Sequence, residues 1–156
     1  FKMQWCIGGA GNPAGNKPEH LARVMSKKAA AGVDFIQTQP VFDLEVFDKW
    51  WTALEKAGVH SKVKILPGIL PPRSFKGLEF MMTHVPGIWV PPQVADRIRE
   101  ASDQKQEALD LALETMRTLK ERYPIAGFHI YPLAWSENVP YILEQLGMLP
   151  PEASAA

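Results

Sequence analysis

What this chain has little of narrows its class before any motif is read. It has one cysteine, Cys6, so no disulfide closes within it, and it reads as a soluble protein of a reducing, cytoplasmic compartment. No apolar run approaches the ~20 residues that span a membrane. Charge of one sign is missing as well. The 17 Lys plus Arg stand against 17 Asp plus Glu, leaving no global field to draw the chain to nucleic acid or an anionic bilayer. Cys6 and the 4 dispersed histidines show no metal-ligand spacing. The early glycines Gly8, Gly9, Gly11 and Gly15 do not form the spaced dinucleotide fingerprint, and no internal repeat is visible. Phe1 stands at the edge of a strand-like run with no leader before it, so the chain reads as a piece of something longer.

What is present is enough for a core. At 156 residues and 46% hydrophobic composition, the chain has a one-domain length. The stretch around which it is organised runs from Gly32 to Asp43, Gly-Val-Asp-Phe-Ile-Gln-Thr-Gln-Pro-Val-Phe-Asp. It reads as a buried strand that turns abruptly polar before a proline that cannot continue a central strand. By the two-residue period Phe35, Gln37 and Gln39 share one face, while Ile36 and Thr38 face covering helices. Gln39 then sits at the carboxyl rim of a parallel sheet, where α/β proteins hold their ligands. From spacing alone, the plainer account of Gln37 and Gln39 is that they satisfy backbone groups in a loop.

In order along the chain, Lys2 to Gly9 reads as a first strand and Ala10 to Asn16 as turn chemistry. Leu21, Val24, Met25 and Ala29 have helical spacing after Pro18, with a stop at Gly32. Asp43 is placed to cap a helix carrying the stripe Val46, Phe47, Trp50, Trp51, Leu54. Lys62 to Pro72 reads as a third strand, and Ser74 as the cap of a helix to about Thr83. An extended excursion from Val85 to Pro92 precedes a brief helix, then a long one from Asp103 to Arg122. Gly127 to Tyr131 is the fourth strand, Glu137 to Leu146 a last helix, and residues past 149 a tail. Strands alternating with helices predict parallel βαβ units. His129 and Tyr131 share a strand face, where a satisfied interior histidine is the simplest account.

Three ordered segments carry a family resemblance: Phe35 to Asp43, Ile65-Leu66-Pro67-Gly68-Ile69-Leu70-Pro71, and Gly127-Phe128-His129-Ile130-Tyr131. At these separations they resemble methylenetetrahydrofolate reductase over nearly the whole chain. The resemblance implies an α/β fold in which residues 1–149 form the second half, strands five to eight, of a (β/α)8 TIM barrel. Four such strands leave two sheet edges and an inner face uncovered, so a partner is expected, either the missing amino-terminal barrel half or a second copy.

The same resemblance implies an oxidoreductase that reduces methylenetetrahydrofolate with FAD, with NADH, NADPH or a reduced protein partner as donor. Gln39 is similar to the family residue that hydrogen-bonds the pterin, a task suited to an amide that both donates and accepts. Met81, or Phe80 beside it, falls near an apolar residue that packs on folate. Lys28 matches a lysine near the FAD diphosphate, with Lys27 adjacent, and Asn12 and Asn16 fall near other FAD contacts; apart from the resemblance the two lysines are a solvated helix face. Where many members have an asparagine and an arginine that help hold folate, this chain has Ala134-Trp135-Ser136-Glu137. Trp135 is then either a stacking surface for pterin or flavin, or core; Glu137 suits a helix first turn. The family's catalytic carboxylate belongs to the half without a counterpart here. A binding or assembly role without turnover, and pterin-dependent methyl transfer without flavin, stand as alternatives.

Overall fold

The computed structural model describes residues 5–149 apart from Asn16. Four parallel strands, β1 (Gly8–Gly11), β2 (Phe35–Pro40), β3 (Lys64–Ile69) and β4 (His129–Ile130), pair in sequence order. The connections carry α1 (Pro18–Ala30), α2 (Leu44–Lys56), then α3 (Phe75–His84), α4 (Pro92–Glu100) and α5 (Gln104–Arg122) before β4. A 3₁₀ turn, Ser136–Asn138, leads into α6 (Val139–Gln145). A parallel sheet in sequence order with helical crossovers is half of a (β/α)8 barrel.

The alternation along β2 is the expected one. Ile36 and Thr38 are fully buried, whereas Phe35, Gln37 and Gln39 are half-buried on the opposite face. The helix side holds the main core, where Ile36, Ile65 and Ile69 meet Phe47, Trp50 and Leu54 of α2 and Met116 and Leu119 of α5. Burying each such side chain contributes about 1.5–3 kcal/mol. The Phe47 ring lies 5.1 Å edge-on from Tyr123. Burial and the Asp48 carboxylate, which accepts the Tyr123 hydroxyl at 2.7 Å, push that phenol up to about 12. The helices begin where their caps stand: Asp43 Oδ1 accepts from the Glu45 and Val46 amides, Ser74 Oγ from Gly77, and Asp103 Oδ1 from Lys105 and Gln106.

Two strands differ from expectation. Among the described residues the first begins at Gly8, with Trp5 and Ile7 exposed before it; Lys2 to Gln4, where the expected strand starts, lie outside the described residues. Its glycines are there because β2 side chains cover it: a Cβ at Gly8 would stand 2.5 Å from the Phe35 ring, and one at Gly11 2.8 Å from Ile36 Cγ2. The fourth strand pairs only over His129–Ile130, against Gly68 and Ile69. The tail expected beyond residue 149 lies outside the described residues.

Between Gln37 and Pro40 the register slips, so β2 carries a bulge opposite β3. The buried Thr38 hydroxyl bridges it, donating to Gln39 O at 2.7 Å and accepting the Gly68 amide at 2.8 Å. Tyr131 reaches from beyond β4, across β3, and donates its hydroxyl to Thr38 O at 2.8 Å. Only a residue without a side chain fits below it: a Cβ at Gly68 would lie 2.4 Å from Thr38 O. Gly68→Ala is therefore expected to destabilise the chain by about 2 kcal/mol or more, through overpacking against backbone and disturbance of the Thr38 bridge. Urea unfolding measures it, and a midpoint equal to wild type would show that the strands part here without cost.

Candidate functional site

The carboxyl ends of β2, β3 and β4 open into a cleft of about 460 Å³. Gln39 and Pro40 of the bulge line it together, as two adjacent residues on a bulged strand can. Its other walls come from Leu70 to Arg73 after β3, from Phe80 and Met81 of α3, and from Tyr131 and Leu133 after β4. Met81 belongs to a second apolar cluster, with Leu70, Leu78, Val90, Ala95 and Ile98, that supports this wall from behind. Arg97 holds α4 onto α5 by a paired contact to Glu114 at 2.8 and 2.9 Å and a further one to Glu107. The Arg97 hydrogen bonds keep the Glu114 carboxyl below its usual range.

A loop crosses the Gln39 side of the cleft. Gly87, at φ 87°, packs so closely that a Cβ there would stand 3.0 Å from Asn12 Nδ2 and 3.8 Å from Gln39 Cγ. Trp89 pins this loop by donating its indole N–H to Asp43 Oδ2 at 3.0 Å. Gln39 and Asn12 thus lie under one backbone segment, although Asn12 already spends its Oδ1 on the Ala14 amide at 2.9 Å.

The other expected site residues lie elsewhere. Lys28 donates to Ala10 O at 2.5 Å. Because Ile7 O already faces β2, strand alternation turns the Ala10 carbonyl toward the free edge of β1, and Lys28 covers that edge. Lys27 is exposed beside it in the last turn of α1, where cations suit the helix dipole. Asn16 lies outside the described residues. Trp135 does not line the cleft: it is buried in the main core with Ile142. The chain turns it there through Leu133 and Ala134, at φ 41° and 62°, closed by Trp135 N donating to Pro132 O at 2.9 Å. Phe80, set beside Met81 as an alternative in the sequence, lines the cleft too and is exposed.

Two groups went unread in the sequence. Arg73 reaches the cleft from the Pro71-Pro72-Arg73-Ser74 run, its signal being a lone cation between a strand end and a helix cap. The Leu133–Ala134 turn has no glycine or asparagine to announce its left-handed backbone.

The family profile described as "Methylenetetrahydrofolate reductase" matches residues 4–147. The chain belongs to the methylenetetrahydrofolate reductase family. Among curated members, methylenetetrahydrofolate reductase 1 of Schizosaccharomyces pombe is 27% identical over 96% of this chain and 25% of its own length. Methylenetetrahydrofolate reductase 2 of Saccharomyces cerevisiae is 29% identical over 83% of the chain and 22% of its own length. The chain thus spans about a quarter of these reductases. A solved structure from Clostridium thermocellum, of a protein that binds two copies of 5-methyl-5,6,7,8-tetrahydrofolic acid, aligns with a TM-score of 0.64 at 21% identity. It covers 90% of this chain and 52% of that one, which supports the half-barrel fold. Among the described residues no group of His, Cys, Asp and Glu is placed to hold a metal ion, and no helix is long and apolar enough to cross a membrane.

On the inner face below the cleft, His129 lies 4.1 Å from Tyr131 between ring centroids, and its Nδ1 is buried with no partner among the described residues. Burial holds the imidazole below its ordinary value and raises the Tyr131 phenol. The folded state therefore favours neutral His129, while the unfolded chain protonates near pH 6.5. Stability from this residue is present above that pH and lost as pH falls through the folded value. His129→Phe should show a smaller drop in urea midpoint between pH 7.5 and 5 than wild type, the other histidines being common to both. Parallel pH profiles for the two proteins would remove His129 as a source of acid sensitivity.

Proposed function

We propose that this chain is the folate-binding half of a flavin-dependent oxidoreductase, one that reduces 5,10-methylenetetrahydrofolate to 5-methyltetrahydrofolate in one-carbon metabolism and so supplies methyl groups for methionine. The observation that carries the reading is the cleft of about 460 Å³, in which Gln39 and Met81 share one space at the sheet's carboxyl end. Its size suits a drug-sized ligand. Gln39 offers a donor and an acceptor to the pterin edge, and Met81 with Phe80 offers apolar surface to the ring system beyond it. Folate binding by the Clostridium thermocellum neighbour is consistent with this use of the fold.

The family implies FAD, and the residues on the β1 side fit its diphosphate in part. Lys28 brings a cation to the free edge of β1, and Asn12, in the strand-to-loop junction that follows, keeps an amide N–H₂ next to the Gly87 loop. Lys28 would hold the diphosphate, with Lys27 adding charge nearby. A bound flavin would supply the two-electron chemistry that no side chain here provides. Curated relatives are named for NADPH in Caenorhabditis elegans and for NADH in Arabidopsis thaliana; either donor, or a reduced protein, serves the proposed reaction. Cytoplasmic location accords with the lone, exposed Cys6.

The open inner face favours a second element of the reading. Ala10 is exposed, and Phe35, Gln37, Leu66 and His129 are only half-buried, on a side that parallel sheets ordinarily cover. The chain acts joined to its missing barrel half, or paired with a second copy. Without such a partner it holds folate or flavin but does not turn over.

Two variants separate the ligands. Gln39→Ala should weaken folate binding by about 1–3 kcal/mol, the cost of unpaired buried polar groups, with flavin content unchanged. Lys28→Ala should lower FAD retention, most at low salt, with folate affinity unchanged. Titration with 5-methyltetrahydrofolate and the visible flavin spectrum read the two effects; equal folate affinity in Gln39→Ala sinks the pterin assignment, and a protein colourless at full folate occupancy favours methyl transfer over reduction. Sedimentation tests the assembly. The isolated 156-residue chain is expected to self-associate or aggregate; a stable, cooperatively unfolding monomer contradicts the need for a partner.

A further inference from the structure

We propose that Arg73 recognises the glutamate carboxylate of the folate held in the cleft, as the specificity-determining cation at its mouth. The proposal rests on the folate reading above and adds to it which end of the ligand leaves the cleft, and past which residue.

Among the residues that line the cleft, Arg73 is the one charged side chain; the rest are apolar or, like Gln39 and Tyr131, neutral and polar. It is exposed at the rim, whereas Gln39 is half-buried where β2 ends. The lining offers an amide at Gln39, apolar surface at Phe80 and Met81, and a cation at Arg73. A reduced folate presents the matching set of pterin, benzoyl ring and α-carboxylate.

The cation is also left available. Arg73 NH1 donates to Ala134 O at 3.4 Å, and none of the ion pairs among the described residues includes it. A guanidinium carries five N–H donors in a planar fork, so most remain for a carboxylate. The carbonyl it reaches belongs to the left-handed Leu133–Ala134 turn, at φ of 41° and 62°. Leu133 of that turn itself lines the cleft.

The test compares 5-methyltetrahydrofolate with the same pterin-benzoyl compound ending before the glutamate, by equilibrium titration of the purified protein. Wild type is expected to favour the glutamylated ligand by about tenfold, the effect of one partly exposed charge-assisted contact, with the preference shrinking as salt is raised. Arg73→Gln should abolish the preference while leaving affinity for the truncated compound unchanged; Arg73→Lys should keep part of it. Weakening of both ligands alike by Arg73→Gln, or a preference that survives it, overturns the assignment, and the Gln39→Ala result then still judges the folate reading. If wild type binds neither compound, the folate reading falls and this assignment with it. Unchanged thermal midpoints in both variants exclude loss of fold as the cause.

Discussion

The Thr38 hydroxyl is the interaction on which the upper half of this structure depends. It is buried, it accepts the Gly68 amide and donates to the Gln39 carbonyl, and so it closes the polar groups that a bulge would otherwise leave open inside the sheet. The backbone oxygen of the same residue takes the Tyr131 hydroxyl. Strands β2 and β3 and the segment that follows β4 thus meet at one threonine. Because the bulge turns Gln39 and Pro40 together toward the cleft, hydrogen bonds below it set that wall, while the segments after β3, α3 and β4 supply most of the others. A site built on strand ends held in this way is more precise than one built on loops.

Much of the scaffold could be read in the sequence because its signals are local. The half-buried alternation of β2, the aromatic stripe of α2 and the caps Asp43, Ser74 and Asp103 all follow from neighbours within a few residues. The first strand could not be read correctly for the opposite reason. Gly8 to Gly11 has no strand propensity of its own and resembles a turn. It is a strand because β2 pairs with it, while its glycines admit Phe35 and Ile36 at distances that no side chain would allow. The more strand-like Trp5 and Ile7 stay exposed, although the Ile7 carbonyl accepts the Asp34 amide at 2.8 Å where β2 is about to begin.

The cleft was partly legible in the same way. Gln39 and Met81 were named from a resemblance, and the fold gathers them around one space; their chemistry was visible in residue type and their proximity was not. Trp135 takes the second of its two readings: residue type also suited stacking on a ligand, but two left-handed residues before it turn the indole into the core. Arg73 is the converse. Its proline-rich neighbourhood gave no periodic pattern, and only the meeting of the β3 and β4 exits gives it a role in the geometry.

The Tyr131 bond has a mechanical consequence. A phenol that spans from beyond β4 to β2 across the inner face is a chord drawn under an arc, and it ties the ends of that arc to a fixed separation. The curl of the sheet is thereby stored in a side chain rather than left to the strands. In the assembly proposed above, a partner would then meet a surface already curved to receive it, and association would spend less of its free energy on reshaping.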